Sequence, residues 1–364
     1  MNIGDVDTPA VLIDVDIMER NLRRLATYCG EHRLDLRPHT KTHKIPEFAH
    51  RQMTLGAAGI TVAKVGEAEV MADAGLNDIL IVYPIVGASK LRRLVALASR
   101  VRLSVAADAL EVAQEISSHA IAAGCRIGFL VEFNTGFRRC GLPVTPSSLD
   151  VICRIRDLPG LEWRGILVYP GHIMGTAATR PGLIRAENRI VADLMDLLTV
   201  SNIPCPVVSG GNTPATYASH EFTDITEIRP GTYIFNDGNT VCAEAASWTD
   251  CAARVLTTVV SRSVEGTAII DAGSKTLGAD RLLSGDGVGF GRICDYPDIT
   301  IEDLSEEHGH LDTRRLSPVP KLRERLQVIP NHICPVMNLQ DLVYGIQGEK
   351  IVCTWNVAAR GKIK

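Results

Sequence analysis

The sequence predicts an α/β fold, with a (β/α)8 barrel at residues 9–245 and a mostly β domain at residues 246–364. Two observations support this prediction. Short apolar runs alternate with amphipathic helical stretches up to about residue 245, and the alternation then stops. Near-continuous apolar strands separated by helices are typical of a parallel sheet buried on both faces. Eight such units predict a closed barrel, and we expect residues 1–8 to join the second domain.

The predicted barrel strands follow one another at regular intervals. They lie at 34–39, 58–63, 78–84, 102–107, 126–133, 165–170, 206–210 and 225–230. The intervening helices are amphipathic, and the segment 88–99 carries its apolar residues on one face. An earlier unit, TPAVLIDV at 8–15 with a helix near 17–29, precedes this count and could belong in part to the second domain.

The C-terminal part of the chain contains strand-like segments and few amphipathic helical segments. The segments 252–262, 266–271, 326–333 and 350–358 are strand-like, and clusters of Gly, Pro and Asp separate them. This pattern predicts a mostly β domain. We interpret the charged stretch 302–325 as a solvated excursion from it.

Composition and charge narrow the class of protein. The net charge of -4 predicts no affinity for nucleic acid or for anionic lipid. No apolar run reaches the roughly 18 residues of a membrane span, and the acidic N-terminus does not resemble a signal peptide. The ten cysteines are scattered without a CxxC pair, as in reduced cytosolic proteins. We therefore expect a cytoplasmic enzyme.

Lys41 is the strongest candidate for a reactive group. It lies in the basic segment RPHTKTHK, residues 37–44, at the end of the first predicted barrel strand. Functional residues of barrel enzymes lie where strands end at the C-terminal face. A lysine that forms imines must be partly neutral, and the neighbouring positive charges would lower its pKa. The alternative is a basic loop solvated at the surface.

Two glycine-containing turns follow the seventh and eighth predicted strands. They are SGGNT at 209–213 and RPGTY at 229–233. Glycines let backbone N–H groups approach a phosphate, and barrels often bind phosphate after these two strands. The alternative is a pair of ordinary tight turns.

The segment PNHICP at 330–335 contains a potential pair of metal ligands. Residues two apart on an extended strand point to the same side, so His332 and Cys334 could bind one ion. Imidazole and thiolate ligands suit Zn2+, and two protein ligands would leave positions open for water and substrate. The alternative is a core histidine beside a buried cysteine.

The lysine segment and the segment 330–335 together resemble the D-threonine aldolase and D-serine dehydratase family. These are fold-type III enzymes that use pyridoxal 5′-phosphate, and their barrel is related to that of alanine racemase. The resemblance extends from Asp7 to Gly361. It implies pyridoxal 5′-phosphate and a divalent metal, Zn2+ or Mn2+, as cofactors. It also implies a D-amino acid substrate and a homodimer.

The resemblance assigns roles to individual positions. Lys41 matches the lysine that forms a Schiff base with the cofactor. Arg139 matches an arginine near the phenolic oxygen, and Tyr169 a tyrosine near the pyridine ring. His332 and Cys334 match the metal ligands. The other positions that match cofactor-binding residues are His39, Gly210, Gly211, Asn212, Thr213, Gly231 and Thr232.

The sequence also departs from the family pattern. Aldolases of the family have Asp where this chain has Cys334, and a His directly after the tyrosine matching Tyr169. Here Pro170 follows Tyr169, so His172 becomes a candidate for proton transfer. His308 is a second candidate, in the EEHG stretch that, with Asp271-Ala272-Gly273, matches residues on the substrate side. Arg229 matches the arginine at the ring nitrogen of alanine racemase, so it competes with Tyr169 for that contact.

The implied activity is that of a metal-assisted lyase of the D-threonine aldolase type, which yields glycine and an aldehyde. The alternative is a dehydratase acting on D-serine or 3-hydroxy-D-aspartate. Cys334 favours the dehydratase, whereas Pro335 and Asn338 favour the aldolase. An amino-acid racemase is a further alternative, with Arg229 as its distinguishing residue. A non-catalytic protein that only binds pyridoxal phosphate is another, and the β domain argues against it.

Overall fold

The structure, a computed structural model, describes residues 1–282, 289–314 and 317–364. It divides into two compact units. The parallel-sheet unit consists of Leu25–Lys41, Pro46–Gly231 and Lys362–Lys364. The β unit consists of Met1–Arg24, Thr42–Ile45 and Thr232–Gly361.

The strands of the described residues are β1 (Ala10–Asp14), β2 (Asp35–Leu36), β3 (Ile60–Val62), β4 (Asp78–Ile81), β5 (Arg102–Ala107), β6 (Ile127–Phe133), β7 (Leu161–Val168), β8 (Val207–Gly210), β9 (Glu227–Ile228), β10 (Ala253–Ser261), β11 (Thr267–Ile270), β12 (Gly291–Ile293), β13 (Thr300–Leu304), β14 (Gly309–Asp312), β15 (Arg325–Pro330), β16 (Leu342–Gln347) and β17 (Lys350–Asn356). The α-helices are α1 (Val15–His32), α2 (Pro46–Thr54), α3 (Val65–Asp73), α4 (Ala88–Ala98), α5 (Leu110–Ala122), α6 (Ser147–Arg156), α7 (Arg180–Val200), α8 (Gly238–Cys242), α9 (Ser274–Leu277) and α10 (Ile333–Leu339). None of the helices in these ranges is both long enough and apolar enough to cross a bilayer.

The parallel-sheet unit contains all eight strands predicted for the barrel. Their order is β2-β9-β8-β7-β6-β5-β4-β3, and every pairing is parallel. The sheet closes on itself, because the N–H of Thr61 donates to the carbonyl of Pro38 and that of Thr40 donates to the carbonyl of Thr61, both at 2.8 Å. All seven residues of β6 are buried, as expected for a strand covered on both faces.

The nine-stranded sheet of the β unit is mainly antiparallel. Within the described residues, six strands form a closed ring in the order β10-β11-β14-β13-β12-β15, since β11 pairs with β10 as well as with β14. Strands β1, β16 and β17 extend the sheet beyond β10. The four strand-like segments predicted after residue 245 correspond to β10, β11, β15 and β17.

The prediction for the charged stretch 302–325 was wrong. Strands β13 and β14 occupy part of it and are two of the six strands of the ring, and Leu311 of β14 is fully buried. Strand β13 exposes Glu302 and Asp303 in succession at an irregularity of its register, whereas β14 alternates buried with partly exposed residues. The many charged residues therefore made two half-buried strands look like a solvated loop in the sequence.

The division into units differs from the predicted ranges of 9–245 and 246–364. Strand β1 pairs with β10 and β16 of the β unit, although its range was assigned to the barrel. The segment after Gly231 also belongs to the β unit, where the N–H of Ala252 donates to the carbonyl of Phe235 at 2.7 Å. An apolar run shows that a strand is buried, but it does not show which sheet buries it.

Candidate active site

A cavity of about 150 Å³ in the parallel-sheet unit brings six of the predicted site residues together. These six are His39, Lys41, Arg139, Tyr169, Gly211 and Arg229. The remaining lining residues are Ala63, Val82, Tyr83, Glu132 and Leu167. Most of these residues lie at or just after the C-terminal end of a parallel strand, which is where barrels carry their functional groups.

Lys41 is held in a buried segment and not in a solvated loop. His39 and Thr40 on its N-terminal side are buried, and Lys41 itself is partly exposed toward the cavity. The backbone N–H of Lys41 donates to His39 Nδ1 at 3.3 Å. The surface-loop alternative therefore does not hold for this part of the segment.

Arg37 does not contribute the free positive charge that was expected near Lys41. Its Nε donates to Glu227 at 2.7 Å and its NH1 donates to Asp78 at 2.5 Å. The charges of these two carboxylates outweigh burial and raise the pKa of Arg37. The guanidinium group thus stays charged, and the two carboxylates compensate its charge.

A chain of hydrogen bonds continues from Glu227 to the floor of the cavity. The Ser209 hydroxyl donates to Glu227 at 2.5 Å, and NH1 of Arg229 donates to Ser209 Oγ at 2.5 Å. NH2 of Arg229 donates to the carbonyl of Val168 at 3.0 Å. Burial lowers the pKa of Arg229 to about 10, against the opposing effect of Glu227 and Glu132. These bonds hold the guanidinium group of Arg229 in one orientation.

One wall of the cavity combines a cation with aromatic rings. The guanidinium carbon of Arg139 lies 4.4 Å from the centre of the Tyr169 ring, and Phe137 packs edge-on against that ring. NH2 of Arg139 lies 3.7 Å from Glu132 Oε1. Burial raises the pKa of Glu132, and the Arg139 charge partly opposes this effect. Arg139 thus brings a positive charge to the edge of a largely buried cavity.

The turn after β8 presents unused backbone donors. Within the described residues, the N–H groups of Gly211, Asn212 and Thr213 donate to no backbone carbonyl group. Gly211 has φ of 77°, a conformation that favours glycine. The side chain of Asn212 donates to the carbonyls of Pro170 and Ile173 at 2.7 and 3.0 Å, so it anchors the loop after β7. Consecutive free N–H groups of this kind can bind a phosphate.

The donors present fit pyridoxal phosphate. Lys41 supplies an amine, Arg139 a cation, Tyr169 an aromatic ring, and Gly211 begins a run of free N–H groups. Gly210 ends β8 in the same turn, and Gly231 closes the parallel-sheet unit after β9. Thr232 belongs to the β unit, where its hydroxyl lies 3.8 Å from Cys334 Sγ. The roles of these residues in binding phosphate stay predictions.

His332 and Cys334 lie in the β unit, but not on an extended strand as predicted. His332 is the residue before α10, and Cys334 lies in the first turn of that helix. The helix begins here because Asp237 Oδ2 accepts the N–H of Ile333 at 3.0 Å. Pro335, which follows Cys334, is well tolerated in a first helical turn. The two side chains nevertheless interact, since Cys334 contributes to the raised pKa of the His332 imidazole.

Asp280 is a partner of this pair that sequence reasoning missed. Its Oδ2 lies 2.5 Å from His332 Nδ1. A carboxylate can only accept, so the contact places a proton on Nδ1, and a metal at Nε2 would displace the proton that this nitrogen carries in the imidazolium form. Burial lowers the pKa of His332, but Cys334 and Asp280 outweigh it and raise the value to about 9. No group of three or more metal-ligating side chains occurs in the described parts of the chain.

The hydroxyl groups of two threonines lie beside the Cys334 thiol. Cys334 Sγ lies 3.3 Å from Thr42 Oγ1 and 3.8 Å from Thr232 Oγ1. Imidazole and thiolate ligands suit Zn2+, and the two positions they leave unfilled on a tetrahedral ion match a site with exchangeable ligands. The donor set therefore fits a divalent metal.

The two predicted proton-transfer residues lie in different units. His308 is exposed in the turn between β13 and β14 of the β unit. This turn packs on Gly273, because the N–H of Ser274 donates to the carbonyl of Ser305 at 2.9 Å. His172 lies in the loop after β7 of the parallel-sheet unit, with Nε2 3.7 Å from Glu187 Oε2. It is not among the described residues that line the cavity.

Comparison with known proteins agrees with this arrangement. The family described as alanine racemase, N-terminal domain, matches residues 13–238, and a serine dehydratase domain matches residues 252–346. D-threonine aldolase from Arthrobacter sp. is 34% identical over 99% of this chain and 94% of its own length. D-threo-3-hydroxyaspartate dehydratase from Delftia sp. is 31% identical over 96% of this chain and 97% of its own length.

Solved structures extend the comparison. The crystal structure of D-threonine aldolase from Filomicrobium marinum has a TM-score of 0.92 and 33% identity, covering 100% of this chain and 98% of that one. A mutant of the D-threo-3-hydroxyaspartate dehydratase, in the metal-free form, has a TM-score of 0.88 and 29% identity, covering 98% of each chain. The chain therefore belongs to the alanine-racemase-like family of pyridoxal-phosphate-dependent lyases that includes D-threonine aldolase and D-threo-3-hydroxyaspartate dehydratase.

Proposed function

We propose that the protein is a metal-assisted lyase that uses pyridoxal phosphate to cleave D-3-hydroxy amino acids into glycine and an aldehyde. The observation that carries the proposal is the cavity that places Lys41 beside Arg139, Tyr169 and the free N–H groups that begin at Gly211. The similarity to D-threonine aldolases supports the choice of reaction.

Different residues of the cavity would bind different parts of pyridoxal phosphate. Lys41 would supply the amine that holds the cofactor covalently. Arg139 would hold the phenolic oxygen, and the N–H groups of residues 211–213 would hold the phosphate. When bound, pyridoxal phosphate supplies an electron sink for the charge that develops at the substrate α-carbon.

The metal would be held by His332 and Cys334. A divalent ion bound there would supply a Lewis acid that lowers the pKa of the substrate's 3-hydroxyl. The pairing of His332 with Asp280 supports this role, because an orienting carboxylate is the usual outer partner of a metal-binding histidine.

We assign removal of the hydroxyl proton to His172 in preference to His308. Burial lowers the pKa of His172 from its usual range, which keeps the imidazole neutral and able to accept a proton. His172 also follows β7 at the C-terminal end of the parallel sheet, whereas His308 is exposed in a turn of the β unit.

A dehydratase is the second candidate, and Cys334 is the residue that favours it. In that reaction the substrate would lose its α-proton and its 3-hydroxyl group, and the products would be a keto acid and ammonia; a metal held by His332 and Cys334 would supply the Lewis acid. The similarity to D-threo-3-hydroxyaspartate dehydratase supports this alternative.

Product analysis distinguishes these reactions. The purified protein is supplied with pyridoxal phosphate and Mn2+ or Zn2+ and then incubated with D-threonine, D-serine or 3-hydroxy-D-aspartate. L-threonine and the Lys41→Ala variant serve as controls. We expect glycine and acetaldehyde from D-threonine. A keto acid with ammonia would identify a dehydratase, the L-isomer would identify a racemase, and no product from any substrate would refute the lyase proposal.

A further inference from the structure

Helix α7 contains one acidic residue in an otherwise apolar buried stripe. The buried residues of α7 are Ile184, Glu187, Val191, Leu194 and Leu198, at the spacing of one helix face. Glu187 is fully buried within this stripe. A leucine would satisfy the packing, so the carboxyl group is not needed to hold α7 in place.

The carboxyl group of Glu187 lacks the partners that a buried acid normally has. Within the described residues, neither of its oxygens has a hydrogen-bond partner. Its polar neighbours are His172, from the loop after β7, and Thr135, from the loop after β6. The Thr135 hydroxyl is itself buried and forms no hydrogen bond of normal geometry there. A buried acid without donors is destabilising and tends to retain its proton.

The surrounding loops hold His172 against Glu187. Asn212 anchors the loop by donating to the carbonyls of Pro170 and Ile173, on either side of Gly171 and His172. Gly136 leaves room for the ring, because a Cβ at this position would lie 3.2 Å from Cε1 of His172. The imidazole is thus packed between two loops, with Nε2 facing the carboxyl group at 3.7 Å.

We propose that Glu187 is a positioning residue that pairs with His172, fixes the orientation of its imidazole and exchanges a proton with it. The proton moves between His172 Nε2 and Glu187 Oε2. The pair therefore holds it either as imidazolium and carboxylate or as neutral imidazole and carboxylic acid. Hydrogen bonds at catalytic groups are often long without substrate, so a 3.7 Å contact can shorten during reaction.

The direction of both pKa changes agrees with the neutral form of the pair. Burial raises the pKa of Glu187 to about 7 and lowers that of His172. The two directions together place the proton of the pair on the carboxyl group of Glu187 and leave the imidazole of His172 neutral until the pH is low enough to protonate the ring. The catalytic use of the pair rests on the proposed lyase function, whereas the pairing itself does not.

The pairing is tested by NMR titration of the holoenzyme with isotope-labelled histidine. The His172 signals, assigned with a His172→Gln variant, should shift near pH 7 as Glu187 ionises and again at lower pH as the ring protonates. Glu187→Gln should abolish the shift near pH 7. Asp193→Asn, the same change on the exposed side of α7, should preserve it. Identical His172 titrations in the wild type and Glu187→Gln would overturn the proposal.

Kinetics supply a separate test of the catalytic role. Glu187→Gln should lower kcat about tenfold or more and change the pH profile of kcat, while KM and the visible absorbance of the cofactor stay near the wild-type values. An unchanged pH profile would refute that role. If Glu187→Gln does not fold, Glu187→Leu suits the apolar stripe and serves in both experiments. An enzyme without lyase activity but with the coupled titration would refute the proposed function and retain the pairing.

Discussion

The cavity around Lys41 and the metal-ligand pair of the β unit differ in how their polar groups are supported. Below the cavity, Arg37, Glu227, Ser209 and Arg229 form a continuous buried network of hydrogen bonds. The imidazole of His332, by contrast, is about one-third exposed, and Asp280, its carboxylate partner, is about half exposed. The first site is therefore held by the sheet itself, whereas the imidazole of the second is oriented by a carboxylate in a partly exposed position.

This difference indicates how each site responds to loss of its ligand. Interlocked buried bonds keep side chains in place without a cofactor. A pair of ligands with one orienting carboxylate needs the ion to complete its coordination. We expect cofactor binding to be independent of the metal, and metal binding to depend strongly on single residues.

The largest effect should come from the cavity, through Lys41→Ala. We expect turnover to fall by roughly 10³-fold or more, because the covalent link to the cofactor is lost. Lys41 is the only lysine among the described residues that line the cavity. Borohydride reduction and peptide mapping should locate the cofactor on Lys41 of the wild type. Lys64→Ala is the matched control and should retain the visible absorbance; an adduct on Lys64 would contradict the assignment.

The next largest effect should come from the metal-ligand pair. Cys334→Ala, or a chelator, should reduce turnover about 10²-fold, because one imidazole is a weak metal site. The cofactor absorbance should not change. Cys353→Ala, a partly buried cysteine of β17, is the control. Full activity of the wild type in chelator would show that the pair is structural.

Cys334→Asp sharpens the same test. It keeps two ligands but replaces a soft thiolate with a hard carboxylate, which favours Mn2+ over Zn2+. If the thiolate favours dehydration, the ratio of aldehyde to keto acid should rise. Both products are measured in one incubation, and an unchanged ratio would count against a role of Cys334 in choosing the reaction.

A stability effect should appear at Glu187, the one acid of the α7 stripe. Its folded-state pKa of about 7 exceeds the ordinary value of 4.5, so the folded state binds the proton more tightly. The protonated carboxyl group therefore contributes its full stabilisation below about pH 4.5. The free energy of unfolding falls by about 3 kcal/mol in total as the pH rises through about 7. Glu187→Leu should remove this loss. Thermal midpoints at about pH 5 and about pH 8 should differ less in the variant than in the wild type.

The smallest effect should come from Asp280→Asn. An outer carboxylate orients its histidine, and losing it typically weakens metal binding by about 10- to 100-fold; we expect about tenfold. Titration of the apoprotein with Zn2+ measures the change. Asp341→Asn, which alters an exposed acid of the same unit, should leave the affinity unchanged. Equal affinities for Asp280→Asn and the wild type would show that Asp280 does not support the site.

Sequence reasoning found the strands that are buried on both faces. Continuous apolar runs such as β6 remain recognisable without knowledge of their partners. It failed for β13 and β14, because these strands are short and carry charged residues, and two consecutive exposed acids interrupt the alternation in β13. It also could not assign β1 to a sheet, since an apolar strand fits either kind of core.

The candidate site was predictable to the extent that its residues lie at strand ends. Lys41 was found from a local motif, whereas Arg139, Tyr169 and Arg229 were assigned by the resemblance to the family, and the parallel sheet brings all four to one cavity. Asp280 and Glu187 were not found, because each acts through a histidine 52 or 15 residues away in the sequence. No local pattern distinguishes either acid from an ordinary charged residue of a loop or helix.

The sequence by itself determined the parallel sheet, the lysine segment, the glycine turns and the histidine–cysteine pair, because these depend on periodicity and on neighbouring residues. Only the tertiary structure showed that carboxylates compensate the charge of Arg37, that Asp280 contacts His332 and that Glu187 faces His172. Charge and protonation depend on burial and on partners in space, and long-range packing alone supplies both.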